Sequence, residues 1–123
     1  MNNDDRWFLP DLDRTIDWCR QRHTDGIRCT IATLAEYAKD SSQSDMVLKE
    51  NLACIRKVAF RIPDASVALK PTSLGILFDQ GEYVAKLKTL FEEAEKNEVD
   101  LEIDMEGTGY VAGTIQAACE IAT

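Results

Sequence analysis

The sequence predicts an α/β fold, and three observations predict it. Apolar and acidic residues alternate strictly along Val99–Glu106, the period-2 signal of a strand. A helical pattern, Glu82–Asn97, runs into that strand, and a glycine-containing turn, Gly107-Thr108-Gly109, leads out of it towards another. The same helix–strand–helix order can be read earlier in the chain, giving α-β-α-β-α-β-α. Strands that alternate with helices argue for a parallel sheet.

Composition bounds the reading. The 123 residues suffice for one ordinary domain, 1–123, and 45% hydrophobic content supports a real core. A formal charge of −8 argues against nucleic acid and against an anionic membrane surface. No apolar run approaches a membrane span, and Asn2-Asn3-Asp4-Asp5-Arg6 is unlike a signal peptide. The four cysteines, Cys19, Cys29, Cys54 and Cys119, are scattered without a Cys-x-x-Cys, and there is one histidine. That pattern favours a reduced, cytoplasmic protein with buried thiols over a disulfide framework or a metal site.

Each element has a local reason. Pro10-Asp11 opens the first helix, with Asp11 as N-cap. Leu12, Ile16, Cys19 and His23 then share one face, and Asp25-Gly26 stops it. The first strand follows as Ile27–Ala32, with Ile27, Cys29 and Ile31 on the apolar side. Lys39–Ser44 is predicted as a polar turn that supplies caps. The second helix carries Leu48, Leu52, Ile55 and Ala59 and ends before Pro63-Asp64. The second strand, Ser66–Lys70, puts Val67 and Leu69 on one face and Ser66, Ala68 and Lys70 on the other. Pro71 closes it, and a loop through Gly75 and Gly81 must pack Leu74, Ile76, Leu77 and Phe78. Asp79 and Glu82 resemble a capping box. Tyr83, Leu87, Leu90, Phe91 and Ala94 form the buried stripe of the third helix, with Glu92, Glu93, Glu95 and Lys96 solvated. Val99–Glu106 is the third strand, and Thr114–Ile121 the last helix. That pattern runs to Thr123 without the glycine, proline or charged turn that usually ends a helix.

Strands covered by helices on both sides usually read as continuous apolar runs. Here they alternate, with small or charged residues on one face. A barrel accounts for this, since one face packs against helices and the other points into an interior that can be polar at its mouth. The expected fold is therefore a helix followed by the first three βα units of a (βα)8 TIM-like barrel, an incomplete barrel in itself. Barrel sites lie at the C-terminal strand ends. Lys70 and Asp104 fall there on consecutive strands, which lie roughly 4.8 Å apart. The pair suits several chemistries: a Schiff-base lysine with an acid as proton shuttle, a charged lysine holding a carboxylate while Asp104 orients an amine, or a plain ion pair. Asp104 and Glu106 could also take Mg²⁺, although acids on one strand face chelate poorly. Unpaired edges of so short a sheet also allow a non-catalytic chain that self-associates as a homo-oligomer.

Other features have plainer readings. Gly107-Thr108-Gly109 lacks a nucleotide motif and reads as an ordinary turn. Trp7 and Trp18 read as packing residues, His23 as a complement to a helix dipole, and Glu92–Glu98 as a solvated acidic run.

Three stretches in order resemble the FAD-dependent proline dehydrogenase family. Val67-Ala68-Leu69-Lys70-Pro71-Thr72-Ser73-Leu74-Gly75 is similar to that family's V-S-x-K-L-[ST]-x-L-G on its second barrel strand. Ile103-Asp104-Met105-Glu106 is similar to its I-D-M-E on the third, and Thr30–Glu36 to its T-L-D-x-L-G-E on the first. The resemblance runs from about Trp7 to the chain end. It implies a (βα)8 barrel that oxidises L-proline to 1-pyrroline-5-carboxylate with hydride transfer to FAD, in proline catabolism. By that resemblance Lys70 pairs with the substrate carboxylate, Asp104 is the active-site aspartate, Met105 contacts the flavin, and Glu36 shapes the polar pocket. Electrons would leave the flavin for an acceptor such as a quinone at a membrane periphery. Three departures stand out. The family's aspartate and glycine on the first strand are Ala32 and Ala35, and Pro71 follows the lysine where leucine is usual. A barrel of this kind takes about 250 residues, so this chain alone is expected to be inactive, the flavin-binding strands lying beyond it.

Overall fold

The computed structural model describes Leu9 and residues 11–122. The expectations for Trp7, for Pro10 and for the ending at Thr123 lie outside the described residues. Four α-helices and three strands follow one another: α1 Leu12–Thr24, β1 Thr30–Ala32, α2 Ser41–Arg61, β2 Ser66–Leu69, α3 Gln80–Lys96, β3 Asp100–Ile103 and α4 Val111–Ala122. Short 3-10 turns, Pro71–Ser73 and Thr108–Tyr110, follow β2 and β3. The strands form one parallel sheet in the order β1-β2-β3, with Ile31, Val67 and Leu101 in register across it. The α/β alternation and the parallel sheet are as the sequence predicts. The sheet is open at both edges among the described residues, so the predicted barrel has no closed counterpart there.

Three of the four α-helices described start at an aspartate. Asp11, Asp40 and Asp79 each take extended backbone and accept the N–H of the residue three further on. These carboxylates satisfy amides that the first turn leaves unpaired and complement the helix dipole. Asp40 is the surprise. The run expected to be a turn is instead the first turn of α2, because Asp40 caps it and Gln43 Oε1 accepts the Lys39 N–H at 2.8 Å. The Asp79 box is half made: Glu82 N–H donates to Asp79 at 3.1 Å, but the Glu82 carboxylate turns to Ser41, Ser44 and Lys86.

Helix ends differ between α1 and α3. After α1, Gly26 (φ +80°) takes the left-handed position while Gly26 N–H and Ile27 N–H donate to His23 O and Arg22 O. This is the Schellman arrangement that glycine favours. After α3, Glu98 (φ +56°) occupies the same position, with Val99 N–H on Ala94 O at 2.9 Å and Glu98 N–H on Glu95 O at 3.2 Å.

The core lies between one sheet face and the helices. Val67 and Leu69 are fully buried there with Ile55, Val58, Leu74, Tyr83 and Leu90. Burying such a side chain stabilises by about 1.5–3 kcal/mol each. On α2 the buried face is Ser44, Val47, Asn51, Cys54, Ile55 and Val58, while Leu48, Leu52 and Ala59 sit at its margin. The expected stripe is thus rotated, because α2 buries polar Ser44 and Asn51 through side-chain hydrogen bonds to Glu82 and Val47 O. Phe91 stays exposed at the end of the α3 stripe, and Leu77 and Phe78 are exposed in a loop that buries Leu74. Trp18 packs on the core as expected, with the Arg22 guanidinium 4.5 Å from its ring centroid. Cys19 and Cys54 are buried, and burial pushes their thiols up to about 12 and about 11 respectively.

The strands are shorter than predicted. β1 drops Ile27, Arg28 and Cys29, because Arg28 is drawn to Asp64 O and Ile27 belongs to the helix-ending turn. β3 stops at Ile103, so Asp104, Met105 and Glu106 form a loop rather than continuing the ladder. The last helix starts at Val111, three residues earlier than expected. No helix among the described residues is long and apolar enough to cross a membrane.

Candidate functional site

The face of the sheet away from the helices carries small and polar residues, as the alternation predicts. Ser66 Oγ and Thr30 Oγ1 lie 2.8 Å apart, and Glu102 Oε1 accepts from both, at 3.0 Å from Ser66 and 3.3 Å from Thr30. One acid from β3 therefore ties all three strands together on that face.

At the C-terminal ends of the strands the chain gathers its charges. Lys70 directly follows β2 and donates from Nζ to Glu36 Oε1 at 2.6 Å. Its side chain is only 18% exposed, whereas that of Glu36 is 44% exposed. The Glu36 hydrogen bond holds the ammonium above its usual range; burial opposes this, and the charges of Glu36, Asp104 and Glu106 reinforce it. Lys70 is thus a firmly protonated cation in a partly covered setting.

Asp104 directly follows β3, and its backbone N–H donates to Leu69 O at 2.8 Å. That bond fixes the residue beside the end of β2. Its carboxylate is near enough to Lys70 to act on it, but the direct partner of the lysine is Glu36, from the loop after β1. Met105 is 49% exposed beside Asp104. The sequence brings these four residues to one end of one sheet, and the structure places all of them there. What differs is the pairing, since the expected Lys70–Asp104 contact is replaced by Lys70–Glu36.

Glu106 has another task. Its two carboxylate oxygens accept from Thr72, Oε1 from the N–H at 2.8 Å and Oε2 from Oγ1 at 2.6 Å. Thr72 is fully buried, and it also receives Tyr37 N–H on Oγ1 at 3.2 Å and Ala38 N–H on its carbonyl at 2.8 Å. A carboxylate bonded twice in this way is poorly placed as a Mg²⁺ ligand with Asp104. The nearby Tyr83 hydroxyl is buried, and burial first, then the Glu106 charge, raises it to about 12 against the pull of Thr114. Thr72 is not among the site residues that the sequence points to. Its signal is a hydroxyl two places after the lysine, at the serine-or-threonine position of the resembled motif.

Three large side chains near these strand ends stay exposed. Tyr37, from the loop after β1, and Met105 are exposed, as is Leu34, which lines the groove at the β1 edge.

Parallel strands with a lysine–carboxylate pair at their C-terminal ends define an α/β chain with a charged cluster at one end of its sheet. No protein-family model matches the chain. Over 104 residues it is 24% identical to "Proline dehydrogenase 1" of Bacillus subtilis subsp. natto, a stretch that covers 85% of this chain and 34% of that protein. The chain thus spans about a third of the length of the curated relative it matches. Such a likeness is distant support for that family.

Proposed function

We propose that this chain contributes the first three βα units of a (βα)8 barrel that oxidises L-proline to 1-pyrroline-5-carboxylate, with FAD as hydride acceptor. The observation that carries the reading is the protonated Lys70, paired with Glu36 and flanked by Asp104 at adjacent strand ends. An α-amino acid needs a cation for its carboxylate and an anion for its amine, and this arrangement offers both. Glu36 already shows how a carboxylate meets Lys70. Substrate carboxylate would take that place, leaving Glu36 and Asp104 to face the ring nitrogen. Met105 would contact the flavin, which supplies the redox chemistry while the protein orients the substrate. The wider setting proposed is cytoplasmic, with electrons passing onward to an acceptor such as a peripheral membrane quinone.

The same pair speaks against a Schiff-base lyase. A nucleophilic lysine needs a neutral amine, usually through a lowered pKa, and Lys70 is shifted upwards. A second reading has a specific observation behind it: a self-associating, non-catalytic chain. Each open edge of the sheet borders an apolar groove. One lies between β3, α3 and α4, and the other between β1, α1 and α2.

An absorbance spectrum tests the first reading. The 123-residue chain is incubated with excess FAD and freed of unbound flavin, beside a continuous barrel that contains the chain. The expected result is no retained flavin on the short chain and retained flavin in the barrel that bleaches with L-proline. A flavin-loaded barrel that does not bleach with proline would overturn the proposal.

A further inference from the structure

We propose that Thr72 and Glu106 form a positioning clamp that holds the three strand-end loops, and so the Lys70–Glu36–Asp104 constellation, in register. The inference rests on the site reading above, but on neither proline nor flavin. Thr72 uses each of its polar groups. Its N–H and hydroxyl donate to the two oxygens of Glu106, its hydroxyl oxygen receives Tyr37 N–H, and its carbonyl receives Ala38 N–H. These are the loops after β2, β3 and β1 in turn. Each clamp residue lies one or two positions from a site residue. Tyr37 follows Glu36, Thr72 is two beyond Lys70, and Glu106 is two beyond Asp104.

The geometry explains a backbone anomaly. Tyr37 has φ +55°, a left-handed conformation that is strained for a residue with a Cβ. Such strain persists where the surroundings over-determine it. Here two consecutive amides, Tyr37 and Ala38, are both held by Thr72. That turn aims Glu36 at Lys70, although the Glu36 side chain is itself half exposed and has no burial to fix it. Glu106 supplies the other half. Two charge-assisted bonds to one fully buried threonine are stronger and more directional than neutral ones. Without Thr72 the first loop would relax, and Glu36 would leave Lys70 for water.

Lysine reactivity in the intact 123-residue chain reads this directly. The chain is treated with a limiting acetylating reagent, and the modification rate of Lys70 is taken relative to exposed Lys49 and Lys88 by peptide mass spectrometry. Thr72→Val keeps the shape and the Glu106 charge but removes the hydroxyl. Glu106→Asp keeps the charge but withdraws it by one methylene. Both are expected to raise the relative rate at Lys70 about threefold or more, the gain that a half-unit fall in amine pKa gives. Thr72→Ser should restore the wild-type rate. Ile55→Val, a mild core change on α2, should leave it unaltered. If Thr72→Val unfolds the chain, all lysines react faster together, and Glu106→Asp then decides the matter. An unchanged relative rate at Lys70 in the folded clamp variants would overturn the proposal, as would an equal rise in Ile55→Val. Neither result depends on flavin binding, so failure here is distinct from failure of the proline dehydrogenase reading.

Discussion

Lys70 illustrates how much of the site a single side chain can carry. It is mostly covered, protonated and held by one carboxylate, and on the proposed reading it is the cation that meets the substrate carboxylate. In a flavin-loaded barrel that contains this chain, Lys70→Ala is expected to raise KM for proline by roughly 10- to 100-fold, the worth of one charge-assisted hydrogen bond of about 1.5–3 kcal/mol. Flavin content should stay unchanged. Steady-state kinetics with a flavin absorbance ratio checks both, and loss of flavin instead would show that Lys70 holds the cofactor. The position of this lysine was legible, because period-2 alternation sends Ser66, Ala68 and Lys70 to the face opposite Val67 and Leu69. Its partner was not legible. Glu36 is 34 residues away in a loop, and no periodicity relates a loop to a strand end. Thr72 was hidden for a similar reason, since four hydrogen bonds to two distant loops leave no mark on local sequence.

Among the elements, helix caps were the most readable features, and the exceptions have physical causes. Asp11 and Asp79 stand just before apolar periodicity begins, which marks them as caps. Asp40 was obscured because α2 opens with three polar residues, Ser41, Ser42 and Gln43, and buries Ser44 and Asn51 where hydropathy expects leucines. The end of α3 carried no glycine to announce it. Glu98 holds the left-handed position there at φ +56°, at a strain of roughly 1–2 kcal/mol against a smaller entropic cost for glycine. Glu98→Gly is therefore expected to stabilise the chain by about 0.5–1 kcal/mol. Urea unfolding with an unchanged m-value checks this, and a destabilised variant would mean that the Glu98 side chain makes a contribution larger than its strain. The α2–α3 junction makes a second prediction. Glu82 is held below its ordinary 4.5, first by Lys86, then by Ser41, with Ser44 adding to them and burial opposing. A lowered folded value gives stability that is present above 4.5 and lost as pH falls through the folded value. The Tm advantage of wild type over Glu82→Gln should accordingly be full above pH 4.5 and vanish in stronger acid. An advantage that does not shrink with acid would assign it to packing rather than charge.

At the scale of the molecule, two sheet edges decide how the chain behaves. β2 is paired on both sides, while β1 and β3 each have one neighbour among the described residues. An unpaired strand edge offers a row of free N–H and C=O groups to another chain. Beside β3 the groove is apolar, with Leu87, Phe91, Leu101, Ile103 and Ile121 around a space of about 590 Å³. Phe91, expected to be buried from the helical stripe, is exposed because it faces this groove. The stripe is apolar as the spacing predicts, but its far margin has no partner within the described residues. In a barrel the next strand would cover it. In the isolated chain the cheapest cover is another molecule, and a heterologous contact between the two unlike edges need not close on itself. Sedimentation of the 123-residue chain over roughly a hundred-fold range of concentration should thus show mass rising with concentration. Phe91→Lys puts a cation into the groove while leaving the buried Leu87 and Leu90 in place, and it is expected to shift association to higher concentration without lowering Tm by more than a few degrees. If wild type and Phe91→Lys stay monomeric alike, the edges are protected in solution and the self-association reading fails. If both associate equally, the β1 edge rather than the β3 groove is the contact, and Leu34→Lys becomes the variant that should abolish it.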